Sequence, residues 1–348
     1  MLHAYSVAAI ADNWLHECIG EVLHRIHADL ADGGTTPEWP MIVPQRFRSR
    51  LKTRRGLGDY LKKYTLAVGG LNPEEREQII RAFDDENQIS RLLACACNCV
   101  TVDDLPGAIR APIADLFEYL FGLLTELGIR DDAYRAIYQA EPDHVCAFCG
   151  LEYFEAPGGK REAFDHYLLR NRYPFAAANL RNLVPMGHKC NSSYKLVQDI
   201  LRNLDGTRRR SFDPYGAITG IRISLVNSEP FAGADGQTPA WTIDFEPEGE
   251  EATTWDEVFR IRERYRRDVL DADFKRWLED FGRWCRRQHA DLNGEDDLLS
   301  ALQGFAEDHE EMGLRERAFL KASMFRMLLR HCQDGHERLK QLLRGMNW

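Results

Sequence analysis

Apolar residues Ile10, Trp14, Leu15, Cys18, Val22, Leu23 and Ile26 recur at three-and-four spacing through residues 5–31, and Gly33-Gly34 closes the run. That spacing predicts a helix with one buried face. A Pro-containing linker follows (Pro37–Pro44), then the basic run Arg46–Arg55. Its Arg-x-Arg-x-Arg alternation fits one face of a strand, while its apolar positions fit a short helix, and both readings stay open. Functionally it reads either as a phosphate-contacting arm or as a solvated surface segment. Pro73, followed by Glu74 and Glu75, opens a helix expected to run to about Leu93. Further helices fit residues 108–127 and 131–139, so the first 140 residues read as all-helical, with no internal repeat.

The periodicity then changes. Gly150, Pro157, Gly158 and Gly159 mark turns, and short apolar runs at Phe164–Leu168 and Leu183–Met186 read as strands. Asn191 and Ser192 are good N-caps for a helix through Leu204, with Val197, Ile200, Leu201 and Leu204 on one face and Asp205-Gly206 ending it. Alternating segments Ile221–Val226 and Trp241–Phe245 predict a second β-pair. From Trp255 the helical period returns, carrying Val258, Ile261, Tyr265, Val269 and Leu270, then Phe274, Trp277, Leu278, Phe281 and Trp284. Two more helices fit residues 296–308 and 314–344. Aromatic stripes at this spacing read as core.

The expected class is therefore mainly α with a small α+β insert. It divides into an N-terminal helical region (1–140), an insert (141–206) and a C-terminal region of a short β-pair followed by helices (207–348). With 348 residues, 44% hydrophobic and 29% charged, the chain has enough apolar surface for sizeable cores and no composition favouring long disorder. No stretch is long and apolar enough for a membrane span, since even Leu116–Leu124 contains Glu118. The start lacks a basic n-region and Asp12 interrupts it, so no signal peptide is expected. Nine cysteines, several of them single within helical patterns (Cys18, Cys285, Cys332), imply reduced thiols and a cytoplasmic setting. Cys95, Cys97 and Cys99 read as small apolar residues at the end of a buried helix.

A net charge of −10 argues against a nucleic-acid partner only on average. Between Arg170 and Arg210 there are nine Lys/Arg against two acidic residues, Asp199 and Asp205, so a local basic surface is available for phosphate.

That basic stretch overlaps the densest chemistry in the chain. Residues 146–195 hold Cys146-x-x-Cys149, Asp165-His166, Asn182-Leu-Val-Pro185 and Cys190-Asn191. Phosphodiester hydrolysis needs a base for the attacking water and a cation for the charge that builds on phosphate. His166 has the side chain whose ordinary pKa lies nearest neutrality. Asp165 and Asn191 offer hard oxygen donors suited to Mg²⁺ or Mn²⁺. Neighbouring residues on a strand face opposite ways, so Asp165 and His166 share a site only if the strand ends or twists there.

Asp-His, then Asn-Leu-Val-Pro, then Cys-Asn-x-x-x-Lys, preceded by Cys-x-x-Cys, resembles the HNH endonuclease motif of the His-Me finger (ββα-metal) superfamily. The resemblance covers roughly residues 144–204 and leaves both flanks unassigned. It implies a ββα-metal nuclease core in which His166 is the general base and Asp165 and Asn191 hold one catalytic metal. In the same reading Asn182 fixes the loop carrying the histidine, Lys195 touches phosphate, and the substrate is DNA, cut to leave a 5′-phosphate. Arg170, Arg172, Arg208, Arg209 and Arg210 are the expected nucleic-acid contacts.

Many relatives bind a structural Zn²⁺ through two Cys-x-x-Cys pairs. Here Cys146, Cys149 and Cys190 are present, but Gly187 stands where the fourth thiol falls. His188 is the expected fourth ligand, with His144 as a second candidate. Leu169 occupies a place where relatives often carry Pro. Two other functions are open: a zinc-stabilised nucleic-acid-binding or assembly module that does not cut, and an RNA-cleaving nuclease. HNH proteins with large helical flanks resemble effectors of bacterial restriction and anti-phage defence. That implies a partner ATPase or sensor, or self-association, docked on the acidic, Trp- and Phe-rich C-terminal helices.

Overall fold

Burial, more than capping, decides where helices form in the first third of the chain. The computed structural model describes residues 1–159, 163–217, 220–290 and 292–345. The first long helix, α1 (Trp14–Ala31), has no capping side-chain bond at Asn13, yet it buries Trp14, Leu15, Cys18, Ile19, Val22, Leu23 and Ile26 along one face. The basic run is helical: α2 (Gln45–Leu51) buries Phe47 and Leu51. It leads into α3 (Arg55–Gly69), which the sequence pattern did not predict because Gly56, Gly58 and Gly69 obscure the Leu57, Leu61, Tyr64 and Val68 stripe. Gly58 is there for close packing, since a Cβ would stand 2.6 Å from Trp39 Cγ.

The next helix, α4 (Pro73–Glu86), opens on a full capping box. Glu75 N donates to Asn72 Oδ1 at 2.8 Å and Asn72 N donates to Glu75 Oε2 at 3.0 Å. It ends at Glu86, short of Leu93, and α5 (Ile89–Leu93) follows as a separate turn and a half. Gly128, at φ 74°, breaks the helix between α6 (Gly107–Glu126) and α7 (Ile129–Ala140).

The two short strands β1 (Ala163–His166) and β2 (Leu183–Met186) pair antiparallel, with Asp165 opposite Val184 and His166 opposite Leu183. The predicted helix through Leu204 does not form. A six-residue π-helix, Cys190–Lys195, stops at Leu196, whose φ is 46°. Val197 and Leu204 are exposed, while Ile200 and Leu201 are buried, so the four never form one face. Asp199 organises the segment instead, accepting from Leu201 N at 2.8 Å and from the Tyr173 hydroxyl at 2.8 Å. Such local side-chain bonds compete with helical ones.

The chain folds as two compact units. The N-terminal unit is Ala4–Pro142 with Phe154–Ile218, so the α1–α7 helices and the β1–β2 pair share one body. The C-terminal unit comprises Met1–His3, Asp143–Tyr153 and Thr219–Trp348. In it β3 (Arg222–Ser224) pairs antiparallel with β4 (Asp244–Glu246), both shorter than the alternating segments they come from. The helices α8 (Glu250–Phe259), α9 (Ile261–Tyr265) and α10 (Asp271–Gln288) follow, with a π-turn at Arg266–Leu270 before the last. Then come α11 (Glu295–Glu311), α12 (Ala318–Gln333) and α13 (Glu337–Gly345), the last two separated at Gly335, whose φ is 87°. Phe274, Trp277, Leu278 and Phe281 are buried and Trp284 is half-buried, so most of that stripe is core. Among the described residues no helix is long and apolar enough to cross a membrane.

Candidate functional site

His166 is the last residue of β1 and is buried. Its Nε2 lies 3.0 Å from the Ala177 carbonyl oxygen. A carbonyl only accepts, so Nε2 carries the proton of the neutral ring and Nδ1 holds the lone pair. The half-buried Phe121 ring from α6 covers the imidazole at 4.4 Å between centroids, and the Arg130 guanidinium lies over the same Phe121 ring at 4.4 Å. Burial pushes the imidazole pKa down to about 3; the Ala177 bond opposes this, and Arg170, Lys195 and Arg130 add to it. The ring is therefore neutral at physiological pH, and it sits among three cations.

Asp165, one residue earlier, faces a different partner. Its Oδ2 is 2.7 Å from Lys195 Nζ. That contact is an ion pair without hydrogen-bond alignment, since Oδ2 is buried and makes no hydrogen bond. The Lys195 ammonium also donates to the His166 backbone oxygen at 2.8 Å. This lysine, the expected phosphate contact, is buried. The reason is the π-helix, which turns Lys195 inward to β1. Asn191 lies four residues before Lys195 on that helix, close to one π-turn, and is thus on a similar face. Its backbone N–H donates to Gly187 O at 3.0 Å.

Asn182 is fully buried and is bonded to the loop after β1. Leu168 N donates to Asn182 Oδ1 at 2.6 Å, and Asn182 Nδ2 donates to Leu168 O at 3.1 Å and to Ala176 O at 3.2 Å. Tyr167 N donates to Asn182 O at 2.9 Å. One side chain thus clamps the segment after His166 onto the turn that supplies the histidine's carbonyl partner.

The expected arginine contacts divide. Arg170 is exposed and pairs with Glu118, while Arg172 pairs with Asp199 at 2.8 Å. Arg208 donates to Leu92 O at 2.6 Å and to Cys97 O and Leu201 O, each at 3.3 Å. Arg209 is buried and donates to Asp199 O. Both guanidiniums are taken up by backbone carbonyls and so are structural, leaving Arg210 as the exposed member of the triplet. Sequence reasoning missed Phe121 and Arg130, which carry no motif. Their one signal was position, in an N-terminal region left unassigned as a flank.

The Cys146-x-x-Cys149 segment folds as a tight knuckle. Cys149 N and Gly150 N both donate to Cys146 O, at 3.2 and 2.8 Å, and Leu151 N donates to Cys149 Sγ at 3.4 Å. Gly150 has φ 65°, and a Cβ there would lie 2.6 Å from Leu2 Cδ1, so only glycine fits. Tyr265 and Trp255 secure the knuckle from outside, donating to Cys149 O at 2.9 Å and Phe148 O at 2.8 Å. Cys146, Cys149 and Cys190 are all buried, and their sulfurs lie within 4.8 Å of one another, so they could hold a metal such as zinc. His188, the expected fourth ligand, is exposed and outside that group. It lies on the solvent side of the turn that buries Cys190. His144 is likewise not in the group. The Glu152 carboxylate comes within 3.9 Å of Cys149 Sγ. No family model, curated protein or solved structure matches the chain.

Proposed function

We propose that the chain is a metal-dependent HNH-type endonuclease that hydrolyses phosphodiester bonds in DNA, with His166 as general base. The observation that carries this reading is the His166 tautomer. Nε2 is held by Ala177 O, so the lone pair on Nδ1 is the one available to a water. In the proposed step Nδ1 takes a proton from that water as its oxygen bonds to phosphorus. The bond to the 3′-oxygen breaks, its electron pair leaving with that oxygen. The oxygen takes a proton from solvent to become the 3′-hydroxyl, while the other end keeps a 5′-phosphate. Burial alone would make His166 a weak base, but a bound phosphodiester anion raises the imidazole pKa again. The nearby Arg130, Arg170 and Lys195 favour that anion.

Asp165, with a buried carboxylate oxygen that makes no hydrogen bond, and the Asn191 amide are hard donors that fit Mg²⁺ or Mn²⁺. When bound, such an ion neutralises charge on the phosphate and the leaving oxygen. Cys146, Cys149 and Cys190 are soft donors and fit zinc, which would act as a staple and take no part in the reaction.

A second reading has one observation in its favour. Lys195 already places a positive charge against Asp165, which suits a zinc-stabilised nucleic-acid-binding module that does not cut. Plasmid cleavage across divalent metals, with total zinc measured on the same preparation, separates the two. We expect Mg²⁺- or Mn²⁺-dependent nicking that His166→Ala abolishes while DNA binding survives. Robust cleavage by His166→Ala would refute the base assignment, and DNA binding without cleavage under any ion would favour the second reading.

A further inference from the structure

Both clamps on His166 end on one turn. Its Nε2 meets Ala177 O, and Asn182 Nδ2 meets Ala176 O. The turn is a single 3-10 helix, Pro174–Ala176, too short to hold itself. Its outer support comes from α4. Glu86 is fully buried, and its Oε2 accepts from Phe175 N at 2.9 Å. The Ala176 N–H donates to Tyr173 O at 3.3 Å and, with Phe175 N–H, counteracts the rise that burial imposes on the pKa of this carboxyl. Next along the chain, Asn87 Oδ1 accepts from Asn179 Nδ2 at 3.0 Å, so the end of α4 grips the turn at both ends. The Phe175 ring is wedged edge-on against Phe83 and Phe117, at 5.7 and 5.3 Å.

A carboxyl in this place is costly. Among the described residues Glu86 forms no ion pair, and its Oε1 is buried without a hydrogen-bond partner. Burial pushes its pKa well above the usual carboxyl range, and an apolar side chain there would carry no desolvation cost. Among the described residues, the one hydrogen bond of its side chain goes to the turn that supplies the carbonyl of the histidine.

We propose that Glu86 is a positioning residue for the site: by fixing the Phe175 N–H it holds the turn that aims the Ala176 and Ala177 carbonyls, and so selects the His166 tautomer with the proton on Nε2. The inference rests on reading His166 as the base. Glu86 touches neither substrate nor reacting atoms and acts through the turn.

The test uses the full chain with Glu86→Leu and Glu86→Gln, three readouts being taken on each. These are the imidazole ¹⁵N shifts of His166 at pH 7.5, the kcat and KM for plasmid nicking with Mg²⁺ or Mn²⁺, and Tm. Glutamine keeps an acceptor for the Phe175 N–H, so Glu86→Gln retains the wild-type imidazole signature and kcat. Glu86→Leu shows mixed tautomer signals and a kcat lowered by about tenfold or more, with KM within about twofold. A Glu86→Leu protein with wild-type ¹⁵N shifts and kcat overturns the inference, whatever its Tm. If Glu86→Leu does not fold, Glu86→Met replaces it. Failure of both to fold, while Glu86→Gln behaves as wild type, makes the carboxyl a cap of the fold alone and also overturns the inference. Because the ¹⁵N comparison needs no turnover, it decides the matter even if wild type cuts nothing, an outcome that would defeat the endonuclease reading separately.

Discussion

Asn182 offers the sharpest test of how the site is held. Its amide makes three bonds, one from Leu168 N at 2.6 Å and two to Leu168 O and Ala176 O at 3.1 and 3.2 Å, in a fully buried position. Ala176 O keeps a second donor, Asn179 N at 3.2 Å, so the loss falls mainly on the Leu168 peptide. A buried N–H left unsatisfied costs about 1–3 kcal/mol, and a stranded carbonyl somewhat less. With the small cavity added, Asn182→Ala should destabilise the N-terminal unit by about 3–4 kcal/mol, a large share of the stability of an ordinary domain. Asn182→Asp is the informative companion. It keeps the shape and the acceptor for Leu168 N, but turns a donor into an acceptor facing two carbonyls and buries a charge. At pH 8 it should cost at least as much as alanine, and its deficit should shrink as acid protonates the new carboxyl and restores one donor. Urea unfolding followed by far-UV circular dichroism measures the size, and hydrogen exchange at the Leu168 amide reads the local opening. An alanine variant within about 1 kcal/mol of wild type, or an aspartate variant as stable as wild type at pH 8, would refute the reasoning.

Mild acid should weaken the N-terminal unit. Burial lowers His166 to about 3 and His27 to about 4, from an unfolded value near 6.5. Below that value the unfolded chain binds more protons than the folded one. The stability is therefore fully present above pH 6.5 and falls towards pH 4, each histidine contributing a slope of about 1.4 kcal/mol per pH unit. Urea midpoints that stay flat from pH 7.5 to 5 would contradict this. Arg208→Ala and Arg209→Ala should lower Tm and leave the salt dependence of DNA binding unchanged once the variants are folded, because both guanidiniums bond backbone carbonyls. Arg130→Ala should instead weaken binding across all sequences and reduce the salt slope by about one, as measured by titration at several ionic strengths. Purified protein should carry one equivalent of zinc, lost in Cys190→Ser together with several degrees of Tm; a metal-free wild type of full stability would remove the staple.

The sequence by itself determined the helix faces, because apolar spacing and burial are the same constraint read twice. The α1 stripe, the start of α4 at Pro73 and the aromatic core of α10 were all legible in it. The residues with chemical potential were legible too, since Asp165, His166, Asn182 and Asn191 are polar groups spaced around two short apolar runs. Only the tertiary structure decided what those groups touch. Lys195 faces inward because a π-helix and a left-handed Leu196 turn it toward β1, and no periodicity in the chain encodes that turn. The exposure of His188 and the burial of Arg209 were equally undecided, because a charged residue reads the same on a surface and beside an unsatisfied carbonyl. Least legible of all was the support for the base. Glu86 and Phe121 reach His166 or its turn from α4 and α6, dozens of residues away in sequence. Contacts of that kind follow from which helix packs on which, a property of the whole unit and of no local pattern.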